Sequence, residues 1–258
     1  EKERKLCMFL IPLMQCSARL PVYGLLLGLL FHDRPWLSGW GLLAIYLGSI
    51  VLTSVVAAIA GRYLNLKASD QCFQMELPPW RAPLWIPLIR QSLRQTRRFI
   101  TGAGPIIFGL SILLWTVSVF PNEEMPFIMH IGEFIGPIFK PMGVDWRVGV
   151  AILFSFAARE VFVSALVLVF ALGAQDGSFI APLQSAVFMD SGAPIFTIPS
   201  IVGLIIFFMI AMQCAATLAT ARREMNGWTL PMIQLLGFIG LAYGLAVIAV
   251  QGLQLLGF

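Results

Sequence analysis

Charged and histidine side chains are scarce in this sequence. Only 12% of its 258 residues are Asp, Glu, Lys or Arg, and it contains two histidines. A soluble domain carries about 25% charged and about 45–50% apolar residues. Here 59% of the residues are hydrophobic and the mean hydropathy is +0.86. The shortage of charge excludes an ordinary soluble domain, and the sequence predicts an integral membrane protein.

Cysteine is also rare, and its spacing excludes several kinds of site. The four cysteines, at positions 7, 16, 72 and 214, form no C-x-x-C pair, so the disulfide framework of a small secreted domain is not expected. Two histidines are too few for a histidine-built zinc site. The sequence has no Walker A motif, dinucleotide fingerprint or catalytic triad pattern, so this chain by itself is not expected to be an enzyme.

The apolar runs are long enough to cross a bilayer and alternate with polar loops. They predict an all-α, polytopic integral membrane domain of about six transmembrane segments, some of them broken or re-entrant. The predicted order is a gate-type segment over 6–31, a scaffold helix over 40–60, a cytoplasmic loop with a basic interfacial helix over 61–98, membrane segments over 99–120 and 148–172, a second gate segment over 201–224 and a last helix over 230–256. A short amphipathic piece is expected over 127–140.

The net charge of +4 and pI of 9.1 do not indicate nucleic acid, because the basic residues lie in loops between apolar segments. Ten Lys and Arg residues fall in the N-terminal tail and loop 61–98, against five on the opposite side. The positive-inside rule puts that tail and loop, and after six crossings the C-terminus, in the cytoplasm. Arg222 and Arg223 would then lie outside. Either the first half dictates the topology, or segment 201–220 is re-entrant or broken.

Within loop 61–98, three arginines share one helical face: Arg90, Arg94 and Arg97. Ile89 and Leu93 lie on another face. This pattern predicts a basic helix, which either lies on the cytoplasmic membrane surface or simply presents a solvated face.

One heptapeptide pattern, Met-Gln-Cys-x-Ala-x-Leu, occurs twice, at Met14–Leu20 and at Met212–Leu218. Each copy lies in a predicted membrane segment. Pro12 and Pro21 flank the first copy and remove helical hydrogen bonds, so a bent or interrupted helix is expected there. The repetition predicts a paired site inside the membrane.

The chemistry of this paired pattern suits a metal ion. A thiol with thioether and carbonyl neighbours favours a late divalent transition metal over Mg²⁺ or Ca²⁺. Cys16 and Cys214 are therefore candidate ligands, with Met14 and Met212 as candidate helpers. The alternative for each is ordinary packing, since buried cysteines and methionines commonly act as apolar side chains.

Three ionisable side chains fall at membrane depth, where insertion costs at least about 2.5–3.5 kcal/mol each. Arg159 and Glu160 either pin one helix to another or, in the case of Glu160, bind a cation in a pathway. Arg19 is a candidate to cap the carbonyls that Pro12 and Pro21 leave free, or to take part in gating.

Several motifs in a fixed order resemble the ferrous iron transport protein B (FeoB) family over nearly the whole chain. The motifs are Ile11–Tyr23, with its Pro, Met, Cys, Ala-Arg-Leu-Pro and Tyr; Glu76–Arg81, with Trp80 where the family has Tyr; Gly143–Arg147; Ala158–Glu160, where Arg159 replaces the usual Lys; and Cys214–Glu224.

The resemblance implies Fe²⁺ uptake across the bacterial inner membrane by a multi-pass protein. It implies coupling to an N-terminal G domain that would hold GTP and Mg²⁺, and a first gate segment, both outside this sequence. Small cytoplasmic accessory proteins and a homo-oligomer are further implied partners. Cys16 and Cys214 would be gate cysteines. The motif residues implied to act in gating or coupling are Arg19, Pro21, Tyr23, Glu76, Arg81, Arg159 and Glu224.

Two other functions remain open from the residues. One is a gate-domain transporter for nucleosides or another organic solute, which would need a cavity rich in Asn, Gln and Ser; the predicted segments are poor in these residues. The other is a membrane assembly subunit that does not itself transport.

Overall fold

The computed structural model describes residues 2–32, 34–63, 83–119, 127–156, 159–171, 183, 186–187, 192, 194–212 and 214–257. These residues are mostly helical, with short turns and an isolated bridge between Val187 and Pro194. The predicted all-α class is confirmed.

The helices follow one another in the order α1 (Lys2–Leu10), α2 (Leu20–Leu30), α3 (Pro35–Tyr63), α4 (Trp85–Val119), α5 (Phe127–Phe139), α6 (Trp146–Ser155), α7 (Glu160–Ala171), α8 (Ile198–Ile210), α9 (Ala215–Met225) and α10 (Thr229–Leu255). Single 3-10 turns add to this order at Ile11–Leu13, Ser17–Arg19 and Lys140–Met142. Among the described residues, three spans are long and apolar enough to cross a membrane: Leu6–Leu30, Pro35–Tyr63 and Thr229–Leu255.

The core lies where α2, α7 and α8 meet, with α10 packed along α8. Tyr23, Phe162 and Phe208 are fully buried there, and the rings of the two phenylalanines are 4.5 Å apart. Gly203 allows α8 and α10 to approach closely, because a Cβ at this position would overlap the side chain of Val250. This core holds the broken helices described below in fixed positions.

Helix α3 packs against α1 and α2 and leaves most of its surface exposed. The exposed side chains include Trp36, Trp40, Leu47 and Val51. A face this apolar is compatible with contact to lipid tails. Ser49 on the opposite face is buried.

Helix α4 differs from the sequence prediction. The expected interfacial helix within 61–98 and the membrane segment 99–120 form one continuous helix with Pro105 inside it. All the arginines from Arg90 to Arg98 are exposed on its N-terminal half. At about 1.5 Å per residue, its 35 residues reach beyond a hydrocarbon core of about 30 Å, so the basic half can project from the membrane.

The predicted membrane segment over 148–172 is two helices, α6 and α7, interrupted after Ser155. Helix α7 begins at Glu160, where an acidic side chain meets the positive end of the helix dipole. The charged pair at the middle of the segment therefore marks a helix boundary. The segment over 201–220 is broken as well, between α8 and α9, as one of the two topological alternatives requires.

The Gly143–Arg147 motif forms the start of α6. Gly143 ends the preceding turn with a positive φ of 68°, which favours glycine. Asp145 caps the helix by accepting a hydrogen bond from the backbone N–H of Trp146 at 2.7 Å, and it pairs with Arg147 at 2.8 Å. These residues position α6 and are distant in the chain from the cysteines.

Candidate functional site

The site is built from the interruptions in three helices. The first lies between Leu13 and Ser17, the second between Ser155 and Glu160, and the third between Ile210 and Ala215. A break exposes carbonyls at the end of one half-helix and N–H groups at the start of the next. In a membrane these groups need partners from the protein or from water in a cavity.

Both cysteines of the repeated pattern occupy the same position in their breaks. Cys16 is the residue before the turn Ser17–Arg19, with φ −110° and ψ 160°. Cys214 is the residue before α9, with φ −161° and ψ 112°. Cys16 is exposed and Cys214 is half-buried, and neither is in a disulfide. The sequence repeat therefore corresponds to a structural repeat: an extended cysteine at the start of the second half-helix.

Arg19 joins the first break to the third. Its guanidinium, 1% exposed, donates to the carbonyl of Pro12 at 2.9 Å and to the carbonyl of Met209 at 2.7 Å. It also donates to Oε1 of Gln15 at 3.1 Å, and the hydroxyl of Tyr23 donates to the same oxygen at 2.9 Å. Arg19 therefore binds carbonyls of two half-helices, but neither is a carbonyl that Pro12 or Pro21 leaves without a helical donor.

Arg159 joins the second break to the other two. One guanidinium nitrogen donates to the carbonyl of Ala211 at 3.1 Å, and another lies 3.9 Å from Sγ of Cys16. The side chain is 5% exposed. Of the two sequence alternatives, the contacts match a residue that pins one helix to another, and the groups it pins include the candidate ligand Cys16.

Gln234 on α10 meets carbonyls of the first break. Because Pro12 has no N–H, the carbonyl of Met8 loses its helical donor. The amide of Gln234, which is fully buried, donates to that carbonyl at 3.3 Å and to the carbonyl of Phe9 at 2.9 Å. This residue was not predicted from the sequence; a glutamine within an apolar helix was the available signal.

Several carbonyls at the described ends of the half-helices are therefore engaged in this structure. Those of Pro12, Met209 and Ala211 accept from guanidinium groups. The C-terminal ends of half-helices carry partial negative charge and favour cations. Here the two arginines supply the positive charge. Within the described ranges, no group of three or more His, Cys, Asp or Glu side chains could hold a metal ion together.

The remaining predicted site residues do not all gather at the breaks. Met14 is exposed, whereas Met212 is fully buried, so the two methionines of the repeat are not equivalent. Glu160 is exposed at the start of α7, and Glu224 is exposed near the end of α9. Pro21 lies in the first turn of α2.

Six residues named from the sequence lie outside the part of the chain that the structure describes: Cys72, Glu76, Trp80, Arg81, Ala158 and Gln213. Their predicted roles remain predictions.

Comparison with known proteins gives two family matches. The Gate family, described as nucleoside recognition, matches residues 100–228. The ferrous iron transport protein B C terminus matches residues 42–94. The first match contains the second and third breaks and Cys214, and the second contains most of α3.

Curated relatives carry the name Fe(2+) transporter FeoB. The protein of Leptospira interrogans is 31% identical over 99% of this chain and 40% of its own length. That of Leptospira biflexa is 33% identical over 96% of this chain and 38% of its own length. That of Staphylococcus aureus is 30% identical over 88% of this chain and 33% of its own length.

No solved structure matches the chain significantly. The chain spans no more than about two fifths of the length of these relatives. The two family matches and the FeoB relatives agree with the motifs in the sequence. The chain therefore belongs to the ferrous iron transport protein B family and corresponds to its C-terminal part.

Proposed function

We propose that this chain forms the permeation part of a bacterial ferrous iron uptake transporter, located in the inner membrane. The observation that carries the proposal is the pair of cysteine-bearing helix breaks, which Arg19 and Arg159 connect. The name Fe(2+) transporter FeoB on relatives that align with nearly the whole chain supports the choice of Fe²⁺ as substrate.

Cys16 and Cys214 are the proposed ligands that Fe²⁺ meets in turn or together. Arg159 contacts both Cys16 and Ala211, and Ala211 is three residues from Cys214 in the chain. Three residues span at most about 11 Å, so Cα of Cys214 lies no farther than that from Cα of Ala211. Borderline Fe²⁺ accepts thiolate ligands readily.

Arg159 acts in this proposal as a closure. A guanidinium about 4 Å from a cation costs about 4 kcal/mol per unit charge at an effective dielectric constant of 20. Arg159 lies 3.9 Å from Sγ of Cys16, so in this proposal the arginine repels Fe²⁺ from the side of the thiol that it faces until it moves away. Such a movement would also release the carbonyl of Ala211 for the ion.

Coupling to a G domain in another part of the transporter completes the proposal. The Lys and Arg distribution favours a cytoplasmic N-terminus and a cytoplasmic loop 61–98. Glu76 and Arg81 in this loop, and Glu224 at the end of the second gate segment, are the proposed coupling residues. GTP, Mg²⁺ and accessory proteins would act on that other part.

The test is iron uptake by the full-length transporter carrying Cys16→Ser, Cys214→Ser or both. Each single change is expected to reduce uptake of radiolabelled Fe²⁺ at limiting concentration by at least about tenfold, because a serine hydroxyl is a poorer ligand for a soft site. Cys7→Ser is the matched control, since Cys7 is an exposed cysteine of α1 that lies before the first break. Unchanged uptake by the double variant at normal expression would contradict the thiol-ligand mechanism.

A nucleoside transporter is the second candidate, favoured by the description of the Gate family. It predicts saturable uptake of a labelled nucleoside that does not depend on either thiol. This candidate is excluded if the cysteine variants lose iron uptake and the unsubstituted transporter takes up no nucleoside.

A further inference from the structure

A pocket of about 720 Å³ lies at the turn between α9 and α10. Pockets of about 300–1,000 Å³ are typical of small-molecule sites. Its described lining residues come from the end of α9 and from the turn itself: Ala219, Arg222, Arg223, Asn226, Gly227 and Trp228. None of them lies in the helix breaks, so the pocket is separate from the proposed ion site.

The turn that forms the pocket has a defined backbone. Asn226 ends α9 in the left-handed conformation, with φ 51° and ψ 37°, which asparagine adopts more readily than most residues. The N–H groups of Asn226 and Gly227 both donate to the carbonyl of Arg222. The chain therefore reverses sharply and brings Trp228 back to Arg222, whose guanidinium carbon lies 4.4 Å from the centre of the indole ring.

The pocket is positively charged. Among its described lining residues two are arginines and none is acidic, and Glu224 does not line it. The C-terminal end of α9 offsets about half an elementary charge of the two, and the N-terminal end of α10 adds about half a charge back. The first turn of α10 contains no acidic residue that would neutralise this end. The pocket therefore favours an anion.

The donors in the pocket suit a phosphate group. Within the described ranges, neither Arg222 nor Arg223 forms a side-chain hydrogen bond or an ion pair. Stacking on Trp228 occupies one face of the Arg222 guanidinium and leaves the N–H groups along its edge available. Such an edge binds two phosphate oxygens at once, and the side-chain amide of Asn226 offers further N–H donors.

The position of the pocket indicates where the phosphate comes from. The membrane span Thr229–Leu255 begins directly after Trp228, and tryptophan is enriched at the membrane–water interface. Phosphate groups of phospholipids lie at the same level, and basic pockets at the ends of spans bind lipid headgroups.

One face of α10 leads from the pocket into the membrane. Its side chains are exposed near the pocket, and farther along it consists of glycines at which a Cβ would meet no atom within 4 Å. At about 100° per residue, this face lies opposite to the buried Phe238, Ala242 and Ala246, and its missing side chains leave room for an acyl chain. The positions are Leu230, Ile233, Gly237, Gly240 and Gly244.

We propose that this pocket binds the phosphate group of an anionic phospholipid, with an acyl chain along the open face of α10. Arg222, Arg223 and Asn226 bind the phosphate, and Trp228 holds the Arg222 guanidinium in place. Helix α9 is the half-helix that follows Cys214. The bound lipid therefore fixes the far end of the second gate half-helix.

The first test is the thermal unfolding midpoint of the delipidated full-length transporter in detergent, titrated with phosphatidylglycerol. With Arg222→Gln and Arg223→Gln together, half-maximal stabilisation is expected to need at least about tenfold more lipid, because each basic residue near anionic headgroups contributes about fivefold in affinity. Arg34→Gln with Arg62→Gln is the matched control and is expected to behave like the unsubstituted protein. It removes the same charge from exposed positions at the two ends of α3. Equal lipid dependence in both double variants would overturn the proposal.

The second test locates the lipid. The full-length transporter is placed in phosphatidylcholine vesicles that contain a phosphatidylglycerol with a photoreactive group in its acyl chain, and the cross-linked peptides are identified by mass spectrometry. Cross-links are expected within residues 229–244. The Arg222→Gln, Arg223→Gln protein is expected to lose most of them, whereas the Arg222→Lys, Arg223→Lys protein keeps them because it retains both charges.

The remaining outcomes distinguish the lipid from other occupants. If inorganic phosphate stabilises the protein as well as phosphatidylglycerol does and no cross-link forms on 229–244, the pocket is a site for a free anion and the proposal is wrong. If phosphatidylcholine stabilises equally, the charge of the pocket selects nothing and the proposal is also wrong. If the glutamine variant does not fold, the unsubstituted protein decides: no cross-link on 229–244 means that another part of the transporter covers this face. None of these measurements requires Fe²⁺, so their failure leaves the proposed function untouched.

Discussion

Arg19 is a charged side chain at membrane depth whose hydrogen-bonding capacity is spread over two broken helices. It donates to carbonyls of Pro12 and Met209 and to the side chain of Gln15. The planar guanidinium fork offers five N–H donors in fixed directions, whereas a lysine ammonium is a point charge with three. The geometry of the acceptors therefore favours arginine over lysine at this position.

Arg19→Lys is expected to destabilise the protein by about 1.5–3 kcal/mol for each charged hydrogen bond that the lysine fails to make. The measurement is the midpoint of thermal unfolding of the purified full-length transporter in detergent. Arg62→Lys is the control, because Arg62 is exposed at the end of α3. Equal midpoints for Arg19→Lys and Arg62→Lys would show that charge alone satisfies the carbonyls.

The sequence predicted only some of the residues of the candidate site. Cys16 and Cys214 were found from the repeated pattern, and Arg19 from its place between two prolines. Gln15 and Gln234 were missed, because their roles depend on which carbonyls lose their helical donors and which helix faces them. The equivalence of Met14 and Met212 was suggested by the repeat, yet burial distinguishes them completely.

At the scale of elements, the packing of α8 on α10 keeps the third break in place. Gly203 faces Val250 so closely that a Cβ cannot be added without movement. Small residues at helix contacts allow such close approach in membrane proteins. This contact positions the C-terminal end of α8, where the carbonyls of Met209 and Ala211 accept from the two arginines.

Gly203→Ala is expected to destabilise the protein by about 1–3 kcal/mol through overpacking. Any Gly→Ala change within a helix also gains about 1 kcal/mol in helix propensity. Gly244→Ala on α10 is the matched control for this gain, because a Cβ there meets no atom within 4 Å. Thermal unfolding in detergent compares the two. A midpoint for Gly203→Ala as high as that for Gly244→Ala would mean that the helices shift apart freely.

The three breaks differ in how well the sequence predicts them. Pro12 predicts the first break, because a proline cannot continue the hydrogen-bond ladder of a helix. The second lies at Arg159 and Glu160, which the sequence marked as charged but placed in an unbroken segment. The third has no proline or glycine between Ile210 and Ala215, and its exposed carbonyls are held by side chains distant in sequence.

At the scale of the whole molecule, charge distribution and helix length bear on orientation. Lys and Arg are concentrated in the N-terminal tail and in 61–98, and the basic half of α4 is exposed. Arg222 and Arg223 fit poorly with six simple crossings, and they lie on α9, after the break in this segment. The basic residues before Ile100 are consistent with a cytoplasmic location.

Reporter fusions placed directly after Phe258 in the transporter test this orientation. A fluorescent protein that folds only in the cytoplasm is expected to be bright after Phe258, and alkaline phosphatase, active only outside, is expected to be inactive there. The reason is the excess of basic residues on the N-terminal side together with an even number of crossings. Active phosphatase with a dark fluorescent fusion would require an odd number of crossings.

The sequence by itself determined the membrane class, the all-α fold, the family and the paired cysteines, because hydropathy, proline positions and repeated motifs are local properties of the chain. Tertiary structure decided which half-helices meet, which carbonyls Arg19 and Arg159 bind, and which residues of α3 lie beside the first break. These are contacts between residues far apart in sequence. Their physical basis is the need to satisfy polar groups inside the membrane, which fixes how many partners are required but not which helix supplies them.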